Sequence, residues 1–198
     1  MIARNVQITV FVLLLGVLLG GVYMNRLKQR EERAAQVNSD ARPVTAPVAG
    51  PKGQISLVIA YDDDSVLRKE QASAALPQEA MARDKEVLRA LFAEYLKKPS
   101  PHPLGNGADV KDVYLVPGGL CVVDLNAAFA EGHRSGIMVE QMTIASMIES
   151  LSLNDHTITK VKFLVDGKER ETLAGHADLH MIYEVPAVHE MVAELQVR

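Results

Sequence analysis

The chain contains no tryptophan, and aromatic residues of all kinds make up only 5% of it. That scarcity excludes an aromatic platform on which sugars or bases would stack. It has one cysteine, Cys121, so neither an intrachain disulfide nor a thiolate metal cluster can form. Cys121 lies in an apolar run, where a lone thiol packs as a small hydrophobe. A basic surplus is also missing after residue 53. Of the 21 Lys/Arg and 25 Asp/Glu, residues 1–53 hold seven and three, a net +4, leaving 14 and 22, a net −8, for residues 54–198. An acidic domain repels phosphate backbones, which argues against a nucleic-acid partner. What is present is 48% apolar residues in 198, enough for one real core plus accessory segments.

Uncharged from Asn5 to Asn25, the chain is almost wholly apolar from Val6 to Met24, with twelve Val, Ile, Leu or Phe among these nineteen residues. As a helix this run would be about 28 Å long, close to the roughly 30 Å hydrocarbon core, and its transfer favours insertion by several kcal/mol. It exceeds the apolar stretch of a signal peptide, no small-residue cleavage site follows closely, and no cysteine follows to carry a lipid. Residues 1–26 therefore read as a single-pass anchor, with the membrane as a partner of residues 6–24. Arg26, Lys28, Arg30 and Arg33 follow the span while only Arg4 precedes it. That count alone would put the C-terminal domain in the cytoplasm. Residues 27–53, with Pro43, Pro47, Pro51, Gly50 and Gly53, read as a juxtamembrane segment and linker.

The folded part begins with a strand at Gln54–Tyr61, closed by Asp62-Asp63-Asp64 as a solvated strand end. Residues 65–83 are weakly patterned. Asp84 is placed to cap a helix over Lys85–Lys97 whose Val87, Leu88, Leu91, Phe92 and Tyr95 share a face. Val110–Val116, Pro117-Gly118-Gly119 and Leu120–Leu125 spell a β-hairpin, and apolar residues on both faces of its second strand make that strand central. A loop over Asp124–Ser135 leads to a helix over Gly136–Leu151, lined on one side by Ile137, Gln141, Ile144, Ile148 and Leu151. Met138, Met142 and Ala145 widen that side. Thr157–Asp166 alternates as a half-buried strand, and Asp166-Gly167 supplies a tight turn. Val188, Met191, Val192 and Leu195 repeat at helical spacing in a tail over 186–198. The order β-α-β-β-α-β gives an α+β two-layer sandwich, helices on one face of a mainly antiparallel or mixed sheet.

Six of these pieces, in this order, resemble the GerMN domain family of spore-germination and bacterial envelope proteins. They are ISLVIAYDDD, KEVLRALFAEYLKKPS, VYLVPGGLCVVDLNAAF, the helix start carrying Ser135, Gly136 and Glu140, VKFLVDGKE, and GHADL from Gly175 to Leu179. The resemblance covers roughly residues 54–185. It implies a non-enzymatic, extracytoplasmic module tethered to the cell membrane, meeting an envelope protein or a second copy of itself. It favours the periplasm or cell-surface side over the side the charge count gives. It also marks Asp124, Ser135, Gly136, Glu140, Asp166, Gly167, Gly175 and His176 as family-motif residues of a structural or interaction kind.

No sequence feature points to a cofactor, a metal or catalysis. His176 and His180 are four apart, but His-Ala-Asp-Leu-His lacks the Glu of a zinc protease motif, and a structural hydrogen bond suits His176 better. Asp62-Asp63-Asp64 lacks calcium-loop spacing. Ser135, His133 and Glu140 lack a nucleophile elbow. Gly105-Asn106-Gly107 lacks the Lys-Ser/Thr of a phosphate loop. The alternative reading is a small-ligand sensor or weak hydrolase using the 124–140 loop and His176.

Overall fold

The computed structural model describes residues 50–196. Among them the elements run β1 (Lys52–Tyr61), β2 (Val66–Ala75), α1 (Ala80–Tyr95), β3 (Val110–Val116), β4 (Leu120–Leu125), α2 (Ala127–Glu131), α3 (Ile137–Asn154), β5 (Lys160–Val165), β6 (Tyr183–Glu184) and α4 (Val185–Gln196). The fold is α+β, but the single sheet expected from the sequence is two. β1 and β2 form an antiparallel ribbon, and the other strands form a sheet in the order β3-β4-β5-β6. β4 sits between antiparallel β3 and parallel β5, the central place its two apolar faces predict. Val161, Phe163 and Val165 of β5 are buried, alternating with Lys160, Lys162 and Leu164. Asp166 and Gly167 take φ of 51° and 70°, two left-handed residues in succession, and turn the chain onto a Val165–Lys168 bridge. The apolar run 6–24 and the expected linker up to residue 49 lie outside the described residues. No helix within the described residues is long and apolar enough to cross a membrane.

Three local readings are corrected. β2 occupies part of the stretch that read as unpatterned, because Arg68, Lys69, Glu70 and Gln71 face solvent and mask the two-residue period. An exposed strand of this composition also discourages pairing with other chains. The 124–135 loop contains α2, capped by Asn126, whose side chain accepts from the Phe129 N–H. α1 starts earlier than read, at Ala80, with the Glu79 carboxylate accepting from the Ala82 N–H. Asp84 is therefore no cap. It lies inside the helix, 1% exposed, and neither carboxylate oxygen has a hydrogen-bond partner among the described residues.

The core is arranged around α3. Residues 142–151 of this helix are buried without a break, so it is enclosed on every side rather than lined on one. Its first turn is the exception: Ile137 and Met138 are 61% and 40% exposed, and Gln141 faces solvent. Thr143, Ser146, Ser150 and Asn154 fall three, four and four apart, which places them on one stripe. Part of that stripe meets the edge of β1 that β2 does not cover. The Ser56 N–H donates to Asn154 Oδ1 (3.1 Å) and the Val58 N–H to Ser150 Oγ (2.9 Å). The Ala60 N–H donates to Tyr95 Oη of α1 (2.9 Å), which also bonds Ser146 Oγ (2.7 Å). The Asp62 N–H donates to the Pro101 carbonyl (3.0 Å), and Asn154 Nδ2 returns a bond to the Ser56 carbonyl (2.7 Å). α4 packs on α3 and β2 through buried Val188 and Val192.

Two outcomes follow. Tyr95→Phe and Ser150→Ala each orphan a buried β1 N–H and should destabilise the domain by about 1–3 kcal/mol in urea titrations. A loss below a few tenths in both would mean the edge is not held this way. Burial pushes the Asp84 carboxyl up from 3.8 to about 7, with the negative charge of Asp155 adding to it. The folded state thus holds this proton more tightly, and stability should fall as pH rises from about 4 to about 7. Asp84→Asn should remove that slope and raise stability at pH 8 by about 1–2 kcal/mol, read as a higher urea midpoint.

Candidate functional site

The residues that the resemblance marks form two clusters, each built on one buried carboxylate. In the first, Glu140 projects from the first turn of α3 and is 0% exposed. Its Oε1 accepts from the Gly136 N–H (3.1 Å) and from His176 Nδ1 (2.9 Å). Its Oε2 accepts from the N–H groups of Ala174 (3.0 Å), His176 (2.9 Å) and Ala177 (2.9 Å). The 174–177 loop wraps a carboxylate because its successive N–H groups converge, and Gly175 at φ 123° permits that path. Burial pushes the Glu140 carboxyl up, but the His176 ring and the three loop N–H groups outweigh it and bring it to about 2.

In the second cluster, Asp124 at the end of β4 accepts from the Gly167 N–H (2.7 Å), while Asp166 pairs with Lys111 of β3 (2.9 Å). Burial raises the Asp124 carboxyl. Each carboxylate thus holds a loop to the core element that carries it. Ser135, Gly136, Glu140, Gly175 and His176 are brought together, as are Asp124, Asp166 and Gly167.

Neither cluster is arranged as a hydrolase. Ser135 Oγ lies 3.4 Å from His176 Nδ1, the same nitrogen that Glu140 holds. A relay needs serine and carboxylate on opposite ring nitrogens. His180 is exposed outside any helix, so the i, i+4 geometry considered for zinc does not exist. Among the described residues no three His, Cys, Asp or Glu side chains are grouped to hold a metal. Cys121 is a buried free thiol whose pKa burial drives up to about 12.

A third cluster escaped the sequence reading. Asp62, taken as part of a solvated strand end, is 11% exposed at its side chain and bonds His102 Nδ1 at 2.6 Å. His102 Nε2 and His133 Nε2 both reach Thr143 Oγ1, at 2.6 and 2.8 Å. Only Asp63 and Asp64 of the acidic triplet face solvent, Asp64 pairing with Arg68. The available signal was the polar stripe beginning at Thr143 on an otherwise apolar helix.

The surface adds one further feature. On β3 and β4, Tyr114 pairs with Val122 and Val116 with Leu120 in adjacent register. Tyr114 and Val116 are 45% and 42% exposed, and Leu120 and Val122 are half-buried. They form an apolar block on the outer side of the sheet, at an edge strand.

A small α+β domain with loops fixed by buried carboxylates and a partly exposed apolar patch on its sheet is thus defined. The model of the Germane family, described as sporulation and spore germination, matches residues 58–171, and the chain belongs to that family. Among solved structures it is similar to a candidate lipoprotein from Clostridium perfringens. The identity is 18% and the TM-score 0.47, covering 73% of this chain and 93% of that one. It is also similar to the first GerMN domain of the sporulation protein GerM from Bacillus subtilis. That match has 18% identity and a TM-score of 0.44, over 64% of this chain and 92% of the other. Against the tandem GerMN domains of the same protein the figures are again 18% and 0.44, with 44% of the tandem covered. The comparison with curated proteins gives no match.

Glu140→Gln tests the larger cluster. An amide turns two donors toward groups that are themselves donors, so the change should cost about 3 kcal/mol in urea unfolding. The Glu140 contribution is complete above the ordinary 4.5 and is lost as pH falls toward about 2. The variant should therefore lack the acid-side decline of the parent over that window. A variant as stable as the parent would remove Glu140 from its structural role.

Proposed function

We propose that the protein is a membrane-tethered, extracytoplasmic module that binds an envelope protein or a second copy of itself and performs no catalysis. The observation that carries this reading is the apolar block of Tyr114, Val116, Leu120 and Val122 on the outer face of the β3–β4 hairpin. A contiguous exposed apolar patch containing a tyrosine is the ordinary mark of a protein-binding surface. The family's description supports a role in sporulation or germination. The 6–24 run supplies the tether, and the linker behind it gives the domain reach from the membrane. The hydrolase alternative has no observation in its favour, since Ser135 and Glu140 compete for one nitrogen of His176.

Two measurements test the proposal. A C-terminal alkaline phosphatase fusion should be active in a bacterial host, while a fluorescent-protein fusion stays dark. The reverse pattern would put the domain in the cytoplasm and defeat the envelope reading. Tyr114→Glu with Val116→Glu should weaken self-association, or capture of the envelope partner, about tenfold or more in sedimentation or pulldown assays. Both side chains are less than half exposed, so the urea midpoint should fall modestly, and association is compared where both proteins are folded. Association unchanged by the double substitution would exclude this face.

A further inference from the structure

Four segments meet at the Thr143 hydroxyl. Asp62 comes from the turn after β1, His102 from the loop between α1 and β3, His133 and Arg134 from the α2–α3 connection, and Thr143 from α3. His102 is 0% exposed, Thr143 0% and His133 8%. The hydrogen-bond donors in this chain can be counted. The Arg134 carbonyl only accepts, so the His133 Nδ1 that bonds it at 2.7 Å carries a proton. An ionised Asp62 likewise only accepts, so His102 Nδ1 carries one too. If both rings are then neutral, their two Nε2 atoms are bare and both point at Thr143 Oγ1. That hydroxyl has a single proton, which the Val139 carbonyl at 2.9 Å also seeks. At least one buried lone pair would face another lone pair at hydrogen-bond distance.

One added proton resolves the count. With it, one Nε2–H donates to Thr143 Oγ1, and the Thr143 hydroxyl donates to the other Nε2. We propose that the Asp62–His102–Thr143–His133 chain holds one such proton at neutral pH. Its release to solvent at higher pH loosens the 99–104 and 131–136 segments from α3. The proton resides on one of the two imidazoles, which are coupled through Thr143 Oγ1. The surroundings act in both directions. Burial alone lowers His102 to about 4 and also lowers His133, which the charge of the other ring reinforces. Against this stand the Asp62 carboxylate, the Glu140 charge felt by His133, and the unmatched lone pair that a neutral chain would bury. Arg134 also pairs with Asp62, but its side chain is half-exposed and solvent screens it. Tyr95 of α1 packs against His102 with ring centroids 4.7 Å apart and planes tilted by 58°, and it stays neutral, as burial raises its hydroxyl.

The sign follows from the extra proton. A group holding its proton more tightly when folded stabilises the fold at low pH, and that stabilisation disappears as pH rises through the folded-state value. The full-length chain, labelled with ¹⁵N-histidine in detergent micelles, decides the matter by long-range ¹H–¹⁵N spectra. At about pH 7.5, one unit above the ordinary histidine value, one buried ring should show both nitrogens protonated. His102→Gln and His133→Asn assign the signals. Two buried rings each with a bare nitrogen, in particular His133 with Nδ1 bare, would overturn the proposal. When the proton leaves, hydrogen exchange in residues 99–104 should speed up relative to residues 142–151, and unchanged protection would overturn the loosening. Thr143→Val removes the shared hydroxyl, and the doubly protonated signal should vanish with it. Its survival in a folded variant would deny Thr143 its part, and if that variant does not fold the parent spectra still decide.

Discussion

The structure depends on how β1 disposes of its second edge. A strand paired on one side only leaves every other N–H unpaired, and β1 is too deeply buried for water to satisfy them: Leu57, Val58 and Ala60 are 0% exposed. Elsewhere a neighbouring strand would solve this. Here side chains do, with Asn154, Ser150 and Tyr95 accepting from residues 56, 58 and 60, and the Pro101 carbonyl accepting from residue 62. The consequence is a division into two sheets. Because α3 lies against the edge where a further strand would go, the β1–β2 ribbon cannot join the four-stranded sheet through β1. Helix and strand are then tied by directional bonds as well as by packing, which fixes their register along each other.

The same device recurs at larger scale. Glu140 and Asp124 each sit at the end of a core element and gather N–H groups from a loop that would otherwise have to find water. Long connections such as 166–182 contain little regular structure, so their backbone groups need partners from elsewhere. A carboxylate suits this task because it presents two oxygens and several lone pairs from one side chain. Charge-assisted bonds of this kind are stronger than neutral ones. The domain is thus held by an apolar core, a polar seam along α3 and carboxylate clasps at two loops.

The sequence was informative where one period dominated. The β3–β4 hairpin, the alternation of β5, the Asp166-Gly167 turn and the helical spacing of α4 were all readable. It misled where two demands overlapped. β2 was hidden because its solvent face is charged while its register is set by β1. Asp84 looked like a cap because an acid ahead of an apolar helix usually is one, yet the helix had begun a turn earlier. The enclosure of α3 was misread because a search for one apolar face counts serine and threonine as solvent-facing. Of the candidate site, Ser135, Gly136, Glu140 and His176, marked by the resemblance, lie together in the structure. The Asp62–His102–Thr143–His133 chain joins residues up to 81 positions apart and has no local spacing to betray it.

What the polar residues are committed to bears on where function lies. Glu140 accepts five hydrogen bonds, so a ligand would have to displace a loop to reach it. Asp124 is occupied by the Gly167 turn. Thr143, His102 and His133 are sealed beneath the surface. Residues that look chemically suggestive in the sequence are therefore the ones the fold has already used, which is the usual fate of a buried polar group. Tyr114 and Val116 stand at the surface instead, 45% and 42% exposed, with Tyr114 Oη 3.5 Å from Asp112 Oδ2. Burying what remains exposed of the pair against a partner would contribute about 1–2 kcal/mol. A surface that costs solubility without serving the core needs a reason outside the core. On the proposed membrane tether, the raised local concentration of neighbours would make even a modest apolar contact an effective one.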